Sequence, residues 1–265
     1  MVTTIELVSK KKYKDAVMFV GLPGIGLVGK IAVDYLLKEL KAKKIGEVFS
    51  DSFPPSVYTE KGIVNMITDS FYAVEIKKKH YIFLAGPVQP ILNPNMPSTS
   101  GEHYEFAKTI IKTAQNFGVK EIYTLAGVNI GEKRLSSTPH IIVSATDNKT
   151  LTILKKLGAK PGLEDGLISG AAGLILGEAK KTGIKGACIM GETNARLIYG
   201  DHGSAKKLVE FIVKKYGFKI KMKGIAQEAK NIEKAFVQLS KQLEQRKTDN
   251  AEKHEFEEHG PSYVR

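Results

Sequence analysis

Apolar and polar positions alternate between two rhythms along this chain, and the change of rhythm marks out its elements. Ile5–Val8 and Ala16–Val20 are short apolar runs that predict strands, separated by the basic turn Lys10–Lys14. Leu27–Leu40 places apolar residues at 27, 28, 31, 33, 36, 37 and 40, the spacing of a helix packed on a sheet. Lys44–Phe49 predicts a strand closed by a Phe53-Pro54-Pro55 turn. Ile63–Thr68, Phe71–Ile76 and His80–Ala85 then predict three strands of an antiparallel meander inserted into an otherwise alternating β/α pattern. Gly86–Pro97 holds four prolines and excludes both helix and interior strand, so it predicts a rigid apolar covering loop.

A helix is expected after Ser98, Thr99 and Ser100, with Glu102 and Glu105 in its first turn and Gly118 at its end. Val119–Leu125, Ile141–Ser144 and Ile184–Met190 predict buried strands, and Lys149–Leu157 and Ala205–Tyr216 predict helices. The segment between Val128 and Pro139 is polar and holds Asn129, Glu132 and Arg134, with His140 just after it. From Gly224 onward Ile225, Ala229, Ile232, Phe236, Leu239 and Leu243 form an apolar stripe, suited to docking on another helix or subunit. The expected organisation is an α/β core over 1–223, an amphipathic helix over 224–247, and an acidic tether with a C-terminal tail over 248–265.

Two glycine-rich blocks interrupt this pattern. Gly24, Gly26 and Gly29, after Gly21, spell G-x-G-x-x-G between a strand and a helix. The spacing admits a nucleotide pyrophosphate at a helix N-terminus. However, Pro23 interrupts the turn, the surrounding residues are apolar, and the next acidic candidates for a ribose, Glu47 and Asp51, come one to two strands' worth of chain later. The block therefore reads first as close packing of helix on strand or subunit, with a nucleotide or phosphate loop as the alternative. In the second block Gly166, Gly170, Gly173 and Gly177 recur every three or four residues, predicting a helix that lies very close to a neighbour.

Composition narrows the chemistry. A single cysteine, Cys188, excludes an intrachain disulfide framework and a cysteine-based metal site, and its apolar surroundings suit an inert small hydrophobe. The formal net charge of +12 is carried mostly by lysine, while residues 249–259 hold five acids against Lys253. The four arginines, 134, 196, 246 and 265, accompany no nucleic-acid module, so a solvated lysine surface, as suits a thermophile, is the expectation. M-V-T-T-I-E-L-V lacks a signal peptide's basic start, and the apolar runs are too short to span a bilayer. A cytoplasmic location with no membrane partner is expected. No metal or cofactor site emerges. Glu192, Arg196, Asp201 and His202, in the polar loop after the last buried strand, form the one acid–base set to consider.

Three motifs together carry a resemblance: V-G-L-P-G-I-G-L-V-G-K at 20–30, L-A-G-P-V-Q-P at 84–90 and G-L-I-S-G-A-A-G-L-I-L-G-E-A at 166–179. Over about residues 5–245 the sequence resembles the PAC2 family of archaeal and eukaryotic proteasome assembly chaperones. The resemblance implies a three-layer α/β/α sandwich with a mixed sheet, nucleoside phosphorylase-like, and homo- or hetero-oligomers, including assembly with a paralogous subunit. It also implies a non-enzymatic role on the 20S proteasome. Members often end in hydrophobic–Tyr–any residue, a tail that inserts between α-ring subunits. Here Tyr263, Val264 and Arg265 supply the aromatic and the terminal carboxylate, with the tyrosine one place off that register.

Overall fold

Residues 2–8, 11–90, 100–162 and 166–230 are described by the computed structural model. The chain enters through β1 (Thr3–Leu7) and β2 (Ala16–Gly21), passes a short 3-10 turn at Ile25–Leu27 and continues as α1 (Val28–Leu40) into β3 (Lys43–Ser50). Next come β4 (Val57–Glu60), β5 (Ile63–Met66), β6 (Asp69–Ile76) and β7 (Lys79–Ala85). After α2 (Ser100–Phe117) come β8 (Val119–Asn129), the single turn α3 (Lys133–Ser136) and β9 (Ile141–Ala145). The remaining elements are α4 (Asn148–Lys156), β10 (Lys160–Pro161), α5 (Gly170–Lys181), β11 (Lys185–Thr193) and α6 (His202–Tyr216). Residues 223–230 are also helical.

Nine strands form one mixed sheet in the order β1-β3-β6-β7-β2-β8-β11-β9-β10. The four at its centre, β7, β2, β8 and β11, run parallel, and β6, β3 and β1 extend it antiparallel on one side. Every residue of β2 is buried, as a parallel strand covered on both faces requires. Its side chains alternate strictly between two cores. Met18 and Val20 join Phe106, Ile110 and Ile175 under α2 and α5, whereas Val17 and Phe19 join Leu36, Leu154 and Leu208 under α1, α4 and α6. The result is the expected α/β/α sandwich.

The meander differs from its expectation. β6 and β7 pair antiparallel, but their third member is β3, while β5 pairs with β4 in a separate two-stranded sheet. Val57–Glu60 was hidden behind Pro54 and Pro55, and the Lys61-Gly62 turn, with both φ positive at 51° and 83°, closes a tight hairpin in the manner of a type I′ turn. Strands β8 and β11 also outrun the predicted strands ending at Leu125 and Met190. Gly127 and Gly191 look like strand breakers in sequence, yet they sit opposite each other in a continuous ladder that carries pairing on to Asn129 and Thr193. The helix over 223–230 packs on this chain's own core, with Ile225 and Ala229 buried.

Two glycines set how closely α1 lies on the sheet. A Cβ on Gly29 would stand 2.0 Å from the Leu125 carbonyl oxygen of β8, and one on Gly21 would stand 2.5 Å from the Gly29 carbonyl oxygen. Across the C-terminal ends of the strands, the Arg134 guanidinium grips the Asp201 carboxylate with Nε to Oδ2 at 2.7 Å and Nη2 to Oδ1 at 2.8 Å. Both side chains are buried, and Asp201 also accepts from the Ser204 amide as N-cap of α6 and from the Thr193 hydroxyl. A second buried acid, Asp69, has no side chain hydrogen-bonded to its carboxyl among the described residues. Burial pushes its carboxyl up to about 8, against smaller opposing pulls from the Val88 amide and Lys30.

Three outcomes follow from these contacts. Gly29→Ala abolishes or severely weakens folding, whereas Gly177→Ala, whose Cβ meets nothing within 4 Å, stabilises the chain by about 0.5–1 kcal/mol in urea unfolding. Asp201→Ala strands a buried guanidinium and removes a cap, and lowers stability by roughly 3–5 kcal/mol in the same measurement. Asp69 is protonated in the fold and ionised in the unfolded chain between about pH 4 and 8, so its contribution declines as pH rises through that window. Thermal melts of Asp69→Asn against the parent therefore diverge steadily toward pH 8, with the variant the more stable. Parallel melting curves across that range would contradict the assignment.

Candidate functional site

The carboxyl ends of β2, β8 and β11 meet at one edge of the sheet, where α/β proteins commonly hold ligands. The turn after β2 descends onto β8 there. Gly26 takes a positive φ of 62°, and a Cβ at Gly127 would stand 2.2 Å from the Ile25 carbonyl oxygen. Beside this turn lies a cleft of about 380 Å³, floored by Val20, Leu125 and Met190 and walled by Ile25, Val128 and Ile168. Two of its polar side chains serve the fold through their oxygens. Gln89 Oε1 accepts from the Ala171 amide at the start of α5, and Asn129 Oδ1 accepts from the Gly131 and Ala195 amides.

The glycine fingerprint is thereby resolved position by position. Gly24 has open space around it, and Gly29 serves the α1–β8 crossing. Gly26 is the residue whose backbone would have to approach a pyrophosphate, and a Cβ there would meet the Thr193 hydroxyl at 2.4 Å. Thr193 in turn donates to the Asp201 carboxylate at 3.0 Å, and the Asp201 amide donates to the Gly26 carbonyl at 2.8 Å. The second glycine is thus occupied by the chain's own side chains, and α1 has no acidic residue or side-chain cap in its first turn.

The second glycine block also differs from a helix-packing stripe. Gly166 precedes α5 altogether. Gly170 is needed for its positive φ of 73°, and Gly173 makes room for the Ile168 carbonyl of the preceding loop. Gly177 is exposed. A regular spacing of glycines was the signal, but Gly170 and Gly173 answer different local demands and Gly177 meets none.

The acid–base set does not converge. Glu192 accepts from the backbone amide and ring Nδ1 of His140, and these outweigh burial to hold its carboxyl below the usual range. Arg196 faces Glu132 at 3.5 Å on the surface, and His202 faces Glu228 at 3.0 Å. Asp201 belongs to Arg134, a pairing across 67 residues that nothing in the local sequence announces. Cys188 is wholly buried, and burial pushes its thiol up to about 11, as befits a small core residue. Among the described residues no group of three or more His, Cys, Asp or Glu is placed to hold a metal ion, and no helix is long and apolar enough to cross a membrane. Ile232, Phe236, Leu239, Tyr263, Val264 and Arg265 lie outside the described residues.

Several large apolar side chains remain at the surface instead. Leu167, Ile198 and Tyr199 are strongly exposed, as are Val57, Ile63, Val64 and Met66 of the β4–β5 hairpin. Surfaces of this kind mark contacts with other proteins more often than sites of chemistry.

Known proteins share this architecture. Pyrococcus furiosus PbaB, described as an archaeal proteasome activator, superposes with a TM-score of 0.80 at 30% identity, covering 90% of this chain and 99% of PbaB. P. furiosus PbaA, described as an archaeal homolog of proteasome-assembly chaperone, superposes with a TM-score of 0.70 at 27% identity, covering 95% of this chain and 98% of PbaA. The Methanocaldococcus jannaschii protein MJ1210 is 33% identical over 233 residues, 88% of this chain and 85% of that protein. The PAC2 family model matches residues 18–240, and with that span and these relatives the chain belongs to the PAC2 family.

Proposed function

We propose that this protein is a non-enzymatic, oligomeric proteasome-associated chaperone or activator of the cytoplasm, whose C-terminal Tyr263, Val264 and Arg265 contact the 20S α-ring. The observation that carries the reading is the likeness to PbaB along nearly the whole of both chains. The site geometry supports it. Gln89 and Asn129 beside the cleft accept from backbone amides, Gly26 is backed by Thr193, and Glu192, Arg196, Asp201 and His202 face different partners. Exposed apolar side chains supply surface for protein contact.

Purified archaeal 20S particles, mixed with the full chain or with a 1–260 truncation and followed by pull-down and native mass, test this. The full chain is retained and the truncation is lost, while both keep the same fold and subunit count. Retention of neither form, with a discrete oligomer in both, overturns tail engagement of the mature particle and directs attention to a paralogous PAC2 partner. In parallel, a nucleotide leaves the melting temperature unchanged. A rise by mass action that Gly26→Val abolishes would favour a nucleotide-binding enzyme instead.

A further inference from the structure

We propose that the cleft at the carboxyl ends of β2, β8 and β11 binds an uncharged small molecule with an aliphatic body and a carbonyl oxygen. The site is independent of the proteasome reading above. β2 lies between β7 and β8 in the sheet, and α1, which follows β2, covers one face while α2, which precedes β8, covers the other. The β2–β8 boundary is therefore a switch point of the parallel strands, the place where open α/β sheets hold ligands. The cleft that opens there, about 380 Å³, falls within the size range of small-molecule sites. Each of the three motifs at 20–30, 84–90 and 166–179 contributes to its lining, through Pro23 and Gly24, through Gln89, and through Ile168 and Gly170.

The lining selects the ligand's chemistry. None of the described lining residues carries a charge, on a chain with a formal net charge of +12, so a phosphate or carboxylate gains no counter-ion there. None is aromatic either, so a nucleobase gains no stacking partner. Val20, Leu125 and Met190 beneath, with Ile25 and Val128 beside them, offer aliphatic surface instead. The side-chain amides supply donors. Gln89 Oε1 and Asn129 Oδ1 accept from backbone amides, which identifies the oxygens and leaves both NH2 groups to donate to a carbonyl. Gly24 keeps space at this lining. Its φ of −160° is extended, a conformation open to any residue, and a Cβ there meets nothing within 4 Å. The fold makes no demand for glycine at that position, whereas a larger side chain takes up room in the cleft.

Thermal melts and titration calorimetry of the full chain with octanamide test the site. Octanamide raises the melting temperature by mass action and saturates, whereas octanoate and adenosine bind at least about tenfold more weakly. Gly24→Leu keeps the parent's circular dichroism spectrum and weakens octanamide binding roughly tenfold or more. Ile25→Lys, at an exposed wall residue, places a cation beside the cleft and turns the preference toward octanoate, a gain that a loss of fold would not produce. A melting temperature unmoved by octanamide, a response that Gly24→Leu retains, octanoate or adenosine bound by the parent as tightly as octanamide, or no reversal in Ile25→Lys overturns the proposal. Each outcome is read on the chain alone, so capture of 20S particles, or its failure, bears only on the proteasome reading.

Discussion

Backbone meets backbone where α1 crosses the sheet, and much of the molecule is arranged to permit it. Gly21, Gly29 and Gly127 remove the side chains that would otherwise hold the β2–α1 turn away from β8. That approach seats the 3-10 turn over the strand ends and lets the Gly26 carbonyl receive the Asp201 amide. The Arg134–Asp201 pair then ties the segments after β8 and β11 to the same point. Buried charge is costly unless fully satisfied, and here the carboxylate also receives Ser204 and Thr193, so the network specifies one arrangement of three loops.

The same crossing accounts for the character of the sheet's C-terminal edge. In dinucleotide-binding folds this place is a cradle of backbone amides open to an anion. In this chain the comparable glycine is covered by Thr193, and the cleft beside it is walled by aliphatic side chains. The Gln89 and Asn129 side chains there accept from internal amides. Acids and bases at the end of β11 and the start of α6 act as fasteners: Glu192 pins the start of β9 through His140, and His202 meets the helix that includes Glu228.

The protein also presents apolar surface at its periphery. The β4–β5 hairpin is the clearest instance, because its residues contribute to neither core yet include three β-branched aliphatic side chains, a methionine and a tyrosine.

Much of the architecture was legible in the pattern of side chains. Burial follows local periodicity, so β2, α1, α2, α4 and α6 lie where the apolar spacing places them, and the alternating β/α order already implies a layered sheet. Strand partners were less accessible, since period-2 alternation marks a strand without naming its neighbour. Ile63–Met66 was recognisable as a strand, but its pairing with Val57–Glu60 rather than with β6 depends on a two-residue turn whose lysine adopts positive φ. Glycine was the most ambiguous letter: one G-x-G-x-x-G spacing covers an open residue, a left-handed turn under Thr193 and a helix–strand crossing. The sequence by itself determined the layers, the family motifs and the absence of a cysteine framework, because these depend on local spacing and composition. Only the tertiary structure decided that Arg134 belongs to Asp201 and that Glu192, Arg196 and His202 go separate ways, because a contact across 67 residues is made by the fold and leaves no local periodicity.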